Sequence, residues 1–186
     1  MLLDINESCL LIVDVQEKLT PLVHDSEKFL SHCEWLLKAA NMLDVPVLVA
    51  EQYPEGLGQT VPSLRNHLPD VTPIISKTSF SCARNKNWLH QLKKLERSQV
   101  IIIGIETHVC VLQTALDLIQ EEFEVYVVAD AVSSRNPDDN KYALDRMNGE
   151  GVIITTREMV VFEWLEESDH ELFREVSKTL FKNQSA

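Results

Sequence analysis

The stretch IGIETHVCVLQTALDLI, residues 103–119, decides the fold. An apolar run ends in Gly104 and a short polar segment, and apolar residues then recur at helical spacing. A buried strand, a tight turn and a helix in this order form half of a repeating α/β unit. The turn also places Cys110 near the start of the predicted helix, which raises a second question. Cys110 is either a buried packing residue, as free cysteines usually are, or a nucleophile.

The same alternation runs along the whole chain. Short runs rich in Val, Ile and Leu predict strands at residues 9–14, 47–50, 73–76, 100–104, 124–128 and 152–155. Amphipathic segments predict helices at 25–43, 85–95, 108–121, 137–148, 156–166 and 168–182. This order requires right-handed crossovers and a parallel sheet covered by helices on both faces. We expect one domain over residues 1–186.

One connection is unusually long for a compact domain. Residues 51–72 contain three of the seven prolines and two of the five glycines, and no strand is predicted there. Long connections of this kind usually have a function. We therefore expect a lid over a site or a contact between subunits.

Composition excludes several classes of function. The chain has 17 basic and 29 acidic residues and a formal charge of −12, which disfavours nucleic acids and anionic membranes as partners. The apolar runs are too short to span a bilayer, and the first residues lack the features of a secretory signal, so we expect a cytoplasmic protein. The four cysteines form no CxxC pair, which disfavours a zinc site or a disulfide framework.

Three reactive residues follow predicted strands. Asp14 ends the first strand, Lys77 follows the third, and Cys110 lies just beyond the fourth. Open parallel sheets bind their ligands at the carboxyl ends of the strands. Because one end of the sheet would bring these side chains together, their coincidence indicates a catalytic site more strongly than any one of them does.

Together the three residues would suffice for acyl transfer. A free thiol has a pKa of about 8.5, and the helix start and a nearby lysine would both favour the thiolate of Cys110. Asp14 could take the thiol proton and return it to a leaving group, while backbone amides of the turn could stabilise an oxyanion. The alternative is that Asp14 caps a turn, Lys77 is solvated and Cys110 is packing. Cys82 is a competing nucleophile, and His108 is a poor partner because residues two apart on a helix do not face each other.

Four motifs carry a resemblance to a known family. They are LLIVDVQEKL (10–19), KTSFS (77–81), GIETHVCV (104–111) and VVADAVSSR (127–135), and they span most of the chain. In this order they resemble the isochorismatase-like cysteine hydrolases, which include nicotinamidases and N-carbamoylsarcosine amidases. The segment EQYPEGLGQTVPSL (51–64) is most similar to the isochorismatase-domain-containing subgroup. The resemblance implies a three-layer α/β/α, Rossmann-like fold with a six-stranded parallel sheet in the order 3-2-1-4-5-6.

The resemblance also implies roles for the three reactive residues. Asp14 would act as base and then as acid, Lys77 would give electrostatic support, and Cys110 would be the nucleophile. A cis peptide bond between Ile105 and Glu106 would aim the backbone amides of Glu106 and Cys110 at the oxyanion.

Further residues are expected around this centre. The substrate pocket would include Gln16, Tyr53 and Phe80, with Glu106 as another candidate for its wall. Thr107 would cap the helix through the amide of Val109 or Cys110.

Two departures from relatives narrow the predicted reaction. The segment AEQYPEG lacks the Asp-x-His and later His of metal-dependent nicotinamidases, so we expect no catalytic metal and no cofactor. Enzymes of this fold that cleave vinyl ethers lack the cysteine, whereas this chain keeps it. We therefore predict hydrolysis of a small amide-like C–N substrate through a thioester, by a homo-oligomer. The alternatives are a binding protein with an idle site, an isochorismatase-type hydrolase and, against the charge, a ribonuclease.

Overall fold

The computed structural model describes residues 1–181 and contains six strands. Their runs of Val, Ile and Leu are buried because layers of helix cover both faces of the sheet. The strands are Ser8–Val13 (β1), Val47–Gln52 (β2), Ile74–Lys77 (β3), Gln99–Ile105 (β4), Glu124–Ser133 (β5) and Ile153–Thr155 (β6).

All strand pairs are parallel, and the order across the sheet is β3-β2-β1-β4-β5-β6. The order predicted from the family resemblance is confirmed. Since β1 and β4 are neighbours at the centre, their carboxyl ends and that of β2 lie side by side. Residues that directly follow these strands are therefore brought to one edge of the sheet.

Eight α-helices lie among the described residues, joined by shorter helical turns. They are Ser26–Met42 (α1), Pro54–Leu57 (α2), Pro62–Arg65 (α3), Lys86–Lys93 (α4), Leu112–Gln120 (α5), Pro137–Gly149 (α6), Arg157–Leu165 (α7) and Phe173–Val176 (α8). Helices α1 and α7 pack on one face of the sheet, and α4, α5 and α6 pack on the other. The three-layer α/β/α architecture is thereby confirmed.

Three segments differ from the sequence-based predictions. Residues 51–72 are not an open connection: they contain the end of β2 and the helices α2 and α3, and a bridge joins Gln16 to Thr60. Strand β5 continues to Ser133, five residues beyond the predicted end, with a register shift against β4. The single helix predicted at 168–182 is wrong: α8 is followed by a π-helical turn, Ser177–Phe181, and Lys182 lies outside the described residues.

Gly104 allows β1 and β4 to approach each other near the candidate site. Its φ is 127°, and a Cβ added there would lie 2.1 Å from the carbonyl oxygen of Val13. A side chain at this position would collide with backbone that cannot move without breaking the sheet. Glycine is therefore required where β4 turns into the segment that carries Cys110.

Candidate active site

The centre of the site is a buried ion pair between residues that follow β1 and end β3. Asp14 leaves β1 in the left-handed region, with φ 53°, while its amide still donates to Ala50 O at 3.0 Å. Its carboxylate Oδ2 lies 2.7 Å from Lys77 Nζ, and neither side chain is accessible to solvent. The sequence-based expectation that Asp14 and Lys77 meet at one edge of the sheet is confirmed.

Lys77 has a second partner that the sequence analysis missed. Its Nζ also donates to Gln52 Oε1 at 2.7 Å, and Gln52 Nε2 donates to Thr78 O at 2.9 Å. The Gln52 side chain thus bridges the ammonium and the backbone just beyond β3. The signal for Gln52 in the sequence is its position at the carboxyl end of β2, next to the strand ends that carry Asp14 and Lys77.

Gln16 lies between the segments that follow β1 and β2. It is fully buried, and its Nε2 donates to Gln52 O and Gly58 O while its Oε1 accepts from Gln52 N. All its side-chain hydrogen-bonding atoms therefore hold the segment after β2 against the segment after β1. These contacts give Gln16 a supporting position, and its place in the substrate pocket stays a prediction.

Cys110 lies in a π-helical turn, Thr107–Val111, that precedes α5. The peptide bond between Ile105 and Glu106 is cis, and the amides of Val109 and Val111 both donate to Glu106 O. Thr107 does not cap this turn: its buried Oγ1 has no hydrogen-bond partner among residues 1–181. The expected position of Cys110 in the first turn of a regular α-helix is therefore wrong.

Burial controls the protonation of the three residues. It raises the pKa of the Cys110 thiol well above its ordinary value; the Asp14 carboxylate raises it further, and Lys77 opposes both effects without reversing them. The net shift of the Cys110 pKa in the resting site is therefore upward, although Lys77 acts in the expected, lowering direction. Burial also raises the pKa of Asp14, and Lys77 only partly offsets this. For Lys77, burial lowers the pKa, but the charge of Asp14 reverses the effect and the net shift is upward.

One oxygen of Asp14 is available to Cys110. Oδ2 is occupied by Lys77, whereas Oδ1 accepts no hydrogen bond of good geometry from residues 1–181. Cys110 and Asp14 are close enough for each to shift the pKa of the other. The resting arrangement is therefore an ion pair with a neutral thiol next to its free carboxylate oxygen.

The competing candidates point elsewhere. His108 Nδ1 lies 2.9 Å from Ser134 Oγ, so the histidine faces β5 and not Cys110, as its spacing predicted. Cys82 is fully buried, and burial raises the pKa of its thiol to about 12. Cys82 lacks the small exposure that Cys110 has, and His108 contacts Ser134 rather than Cys110.

The remaining predicted pocket residues are Tyr53 and Phe80. Each of the two is about half exposed. A cavity of about 230 Å³ opens beside Lys77 and is lined by Tyr53, Pro54, Glu55, Ser76, Lys77, Thr78 and Asn85. Tyr53 therefore lines this cavity, whereas neither Gln16 nor Phe80 does.

A family model described as "Isochorismatase domain" matches residues 8–159. The chain belongs to the isochorismatase-like hydrolase family. The match covers all six strands and the positions of Asp14, Lys77 and Cys110. The family predicted from the four sequence motifs is thereby confirmed.

Individual relatives within the isochorismatase family extend over nearly the whole chain. Isochorismatase domain-containing protein 2A of Mus musculus is 40% identical over 177 residues, which are 93% of this chain and 82% of the mouse protein. The solved structure named MAR1 ribonuclease from Caenorhabditis elegans is 40% identical, with a TM-score of 0.92 and coverage of 97% and 93%. The YcaC gene product of Escherichia coli, described as an octameric hydrolase of unknown specificity, is 31% identical, with a TM-score of 0.93 and coverage of 100% and 91%.

The described part of this isochorismatase-like chain has neither a metal-binding cluster nor a membrane-spanning helix. Among residues 1–181, no three His, Cys, Asp or Glu side chains lie close enough together to hold a metal ion. Within the same residues, no helix combines the length and the apolar character needed to cross a membrane. Independence from a metal remains a prediction.

Proposed function

We propose that the protein is a cofactor-independent cysteine hydrolase that cleaves the C–N bond of a small amide-like molecule through a thioester. The observation that carries this proposal is the fully buried Asp14–Lys77 ion pair beside the Cys110 thiol. A buried carboxylate with a raised pKa is a better proton acceptor than an ordinary one. An ammonium at 2.7 Å keeps that carboxylate ionised until the reaction begins.

In the first step, Cys110 Sγ attacks the substrate carbonyl carbon. As the S–C bond forms, the thiol proton moves to Asp14 and the carbonyl electrons move to the oxygen. The backbone amides of Glu106 and Cys110 are the donors proposed for that oxyanion; the Glu106 amide has no acceptor among residues 1–181. Because the thiol is neutral at rest, the nucleophile forms only when a substrate is present.

In the second step, the C–N bond breaks and Asp14 gives its proton to the departing nitrogen. An amine is a poor leaving group unless it is protonated, which is why an acid beside the sulfur suits amides. Water then attacks the thioester, Asp14 accepts a proton from the water, and the acid product departs as Cys110 recovers its proton. Lys77 remains an ammonium throughout.

The test is ammonia release from a panel of small amides and ureides. Cys110→Ala is expected to abolish turnover, and Asp14→Asn is expected to reduce it by at least about a hundredfold, since it removes the general acid and base. Cys82→Ala is the matched control, since it removes a buried thiol on the same face of the sheet and should retain activity. Full turnover by Cys110→Ala would overturn the mechanism.

A ribonuclease is the second candidate, favoured by the name of the Caenorhabditis elegans relative. The formal charge of −12 argues against it, because RNA binding needs a surface that attracts phosphates. Cleavage of a labelled RNA that Cys110→Ala abolishes would favour the ribonuclease. A third candidate, a binding protein with an idle site, predicts no turnover of any substrate and a Cys110 that alkylating reagents do not modify.

We also propose that the protein is a homo-oligomer. The Escherichia coli relative is octameric and covers the whole of this chain. Sedimentation at several protein concentrations tests the proposal, and a monomer at every concentration would contradict it.

A further inference from the structure

A second ion pair lies at the edge of the candidate site. Arg135 Nε lies 3.0 and 3.2 Å from the two carboxylate oxygens of Glu106, and the Arg135 backbone amide donates to Glu106 Oε2 at 2.9 Å. Glu106 is mostly buried, with 15% of its side chain exposed, whereas 64% of the Arg135 side chain is exposed. The carboxylate is thus held in place by two groups of the same residue.

The position of this pair follows from the sheet. Glu106 comes directly after β4, four residues before Cys110, and Arg135 comes two residues after the end of β5. Ile105 of β4 is in register with Ser133 of β5, so the two segments leave the sheet side by side. Arg135 is therefore the cation that the carboxyl end of β5 brings toward the turn of Cys110.

The charges around the site cancel in pairs. Lys77 is neutralised by Asp14, and Arg135 is neutralised by Glu106. Other charged groups near this edge are Glu55, which lines the cavity beside Lys77, Asp139, which faces His108 at 3.9 Å, and the exposed Lys18, whose Nζ donates to Gly56 O at 2.8 Å. Because Lys77 and Arg135 are both paired, neither of these two cations is free to attract an anion, and the nearby acids repel anions.

We propose that Glu106 is a specificity-determining residue: by occupying Arg135, it restricts the site to uncharged amides or ureides and disfavours substrates that carry a carboxylate. The inference rests on the proposed function, since it concerns the substrate of the same nucleophile. It assigns to the Glu106 side chain a role separate from that of its backbone amide. Removal of the Glu106 charge frees the Arg135 guanidinium to attract an anionic group.

Two alkylating reagents of similar size test this without knowledge of the substrate. Iodoacetamide is neutral and iodoacetate carries one negative charge; both form an S–C bond with the Cys110 sulfur and release iodide. The measured quantity is the rate with iodoacetate divided by the rate with iodoacetamide, followed by mass spectrometry of the Cys110 peptide. We expect Glu106→Gln to raise this ratio about fivefold at low salt, because one negative charge is lost and one positive charge is unmasked.

Matched variants separate this effect from a general change of charge. Glu121→Gln makes the same substitution at the far end of α5, where Glu121 pairs with Lys93 at 2.6 Å, and should leave the ratio unchanged. Adding Arg135→Gln to Glu106→Gln should abolish the gain. If Glu106→Gln does not fold, Arg135→Gln alone is informative, since it unmasks the Glu106 carboxylate and should lower the ratio.

The outcomes distinguish this inference from the proposed function. A Cys110 that neither reagent modifies refutes the proposed nucleophile, and this inference falls with it. A modified Cys110 whose ratio stays the same in folded Glu106→Gln refutes the specificity role alone. An equal rise in Glu121→Gln also refutes it, because the effect would then come from net charge.

Discussion

Replacing Lys77 by methionine leaves the Asp14 carboxylate buried without the ammonium that it contacts at 2.7 Å. Methionine preserves most of the apolar length of the lysine side chain, so the main change is electrostatic. Removing one partner of a buried ion pair typically costs about 3–5 kcal/mol, because the remaining charge is uncompensated. The carboxylate can limit this penalty by binding a proton, at a cost that rises with pH.

Protonation of Asp14 sets how much stability the Lys77→Met variant loses and how that loss depends on pH. In the variant, the folded-state pKa of Asp14 lies further above the unfolded value of about 3.9, so folding takes up a proton. The variant therefore keeps its full stability at a pH below the unfolded-state pKa of Asp14. It loses stability as pH rises from there toward the raised folded-state pKa. The cost of holding Asp14 neutral is at most about 4 kcal/mol at pH 7 and about 1.5 kcal/mol at pH 5.

Urea denaturation of both proteins at pH 5 and pH 7 measures this difference. A loss of about 4 kcal/mol corresponds to a fall in Tm of roughly 8–16 °C for a chain of this size. Lys93→Met is the control, since it breaks an exposed pair with Glu121 and should cost less than about 1 kcal/mol at either pH. Adding Asp14→Asn to Lys77→Met should restore much of the loss. The reasoning is refuted if Lys77→Met costs less than about 1 kcal/mol at pH 7, or as much at pH 5 as at pH 7.

Three further predictions follow from the geometry of the site. Gly104→Ala should destabilise the fold by about 3 kcal/mol or more in urea denaturation, because the added Cβ would lie 2.1 Å from Val13 O. Gly149→Ala is the control: its Cβ has open space, and the variant should be neutral or stabilised by up to about 1 kcal/mol. Gln52→Leu should slow turnover by about tenfold, because Lys77 would lose the acceptor that positions it. Gln52→Glu keeps an acceptor oxygen and should recover part of the rate. Equal rates in Gln52→Leu and the unaltered protein would contradict this role. Alkylation of Cys110 by iodoacetamide should still be accelerating above pH 9, because its pKa is raised; an apparent pKa at or below about 8.5 would contradict the neutral resting thiol.

The proposed mechanism and the resting charges are consistent with each other. A preformed thiolate in a buried site would add a second negative charge beside Asp14, which burial opposes. A thiol that loses its proton only during attack avoids that cost. It also implies that Cys110 reacts slowly with general oxidants and electrophiles near neutral pH and measurably faster at higher pH, since the thiolate is the reactive form.

Periodicity and strand-end chemistry were enough to predict the fold and the three central residues. Short runs of Val, Ile and Leu that alternate with amphipathic segments indicate strands of a covered parallel sheet, and that sheet gathers the residues that follow its strands. Asp14, Lys77 and Cys110 could therefore be found by position alone, before any distance was known. The order of the strands required the family resemblance, because alternation does not specify which strands are neighbours.

Contacts between distant segments were decided by the tertiary structure alone. Gln52 reaches Lys77 across 25 residues, and Glu106 reaches Arg135 across 29, and no periodic pattern marks either pair. The resting charge of Cys110 also depends on the fold, since burial outweighs the effect of Lys77 on the thiol pKa. The spacing of apolar residues along the chain determines which segments form strands or helices and which side chains lie at one edge of the sheet. Packing of remote segments determines how deeply they are buried, and burial sets their charge.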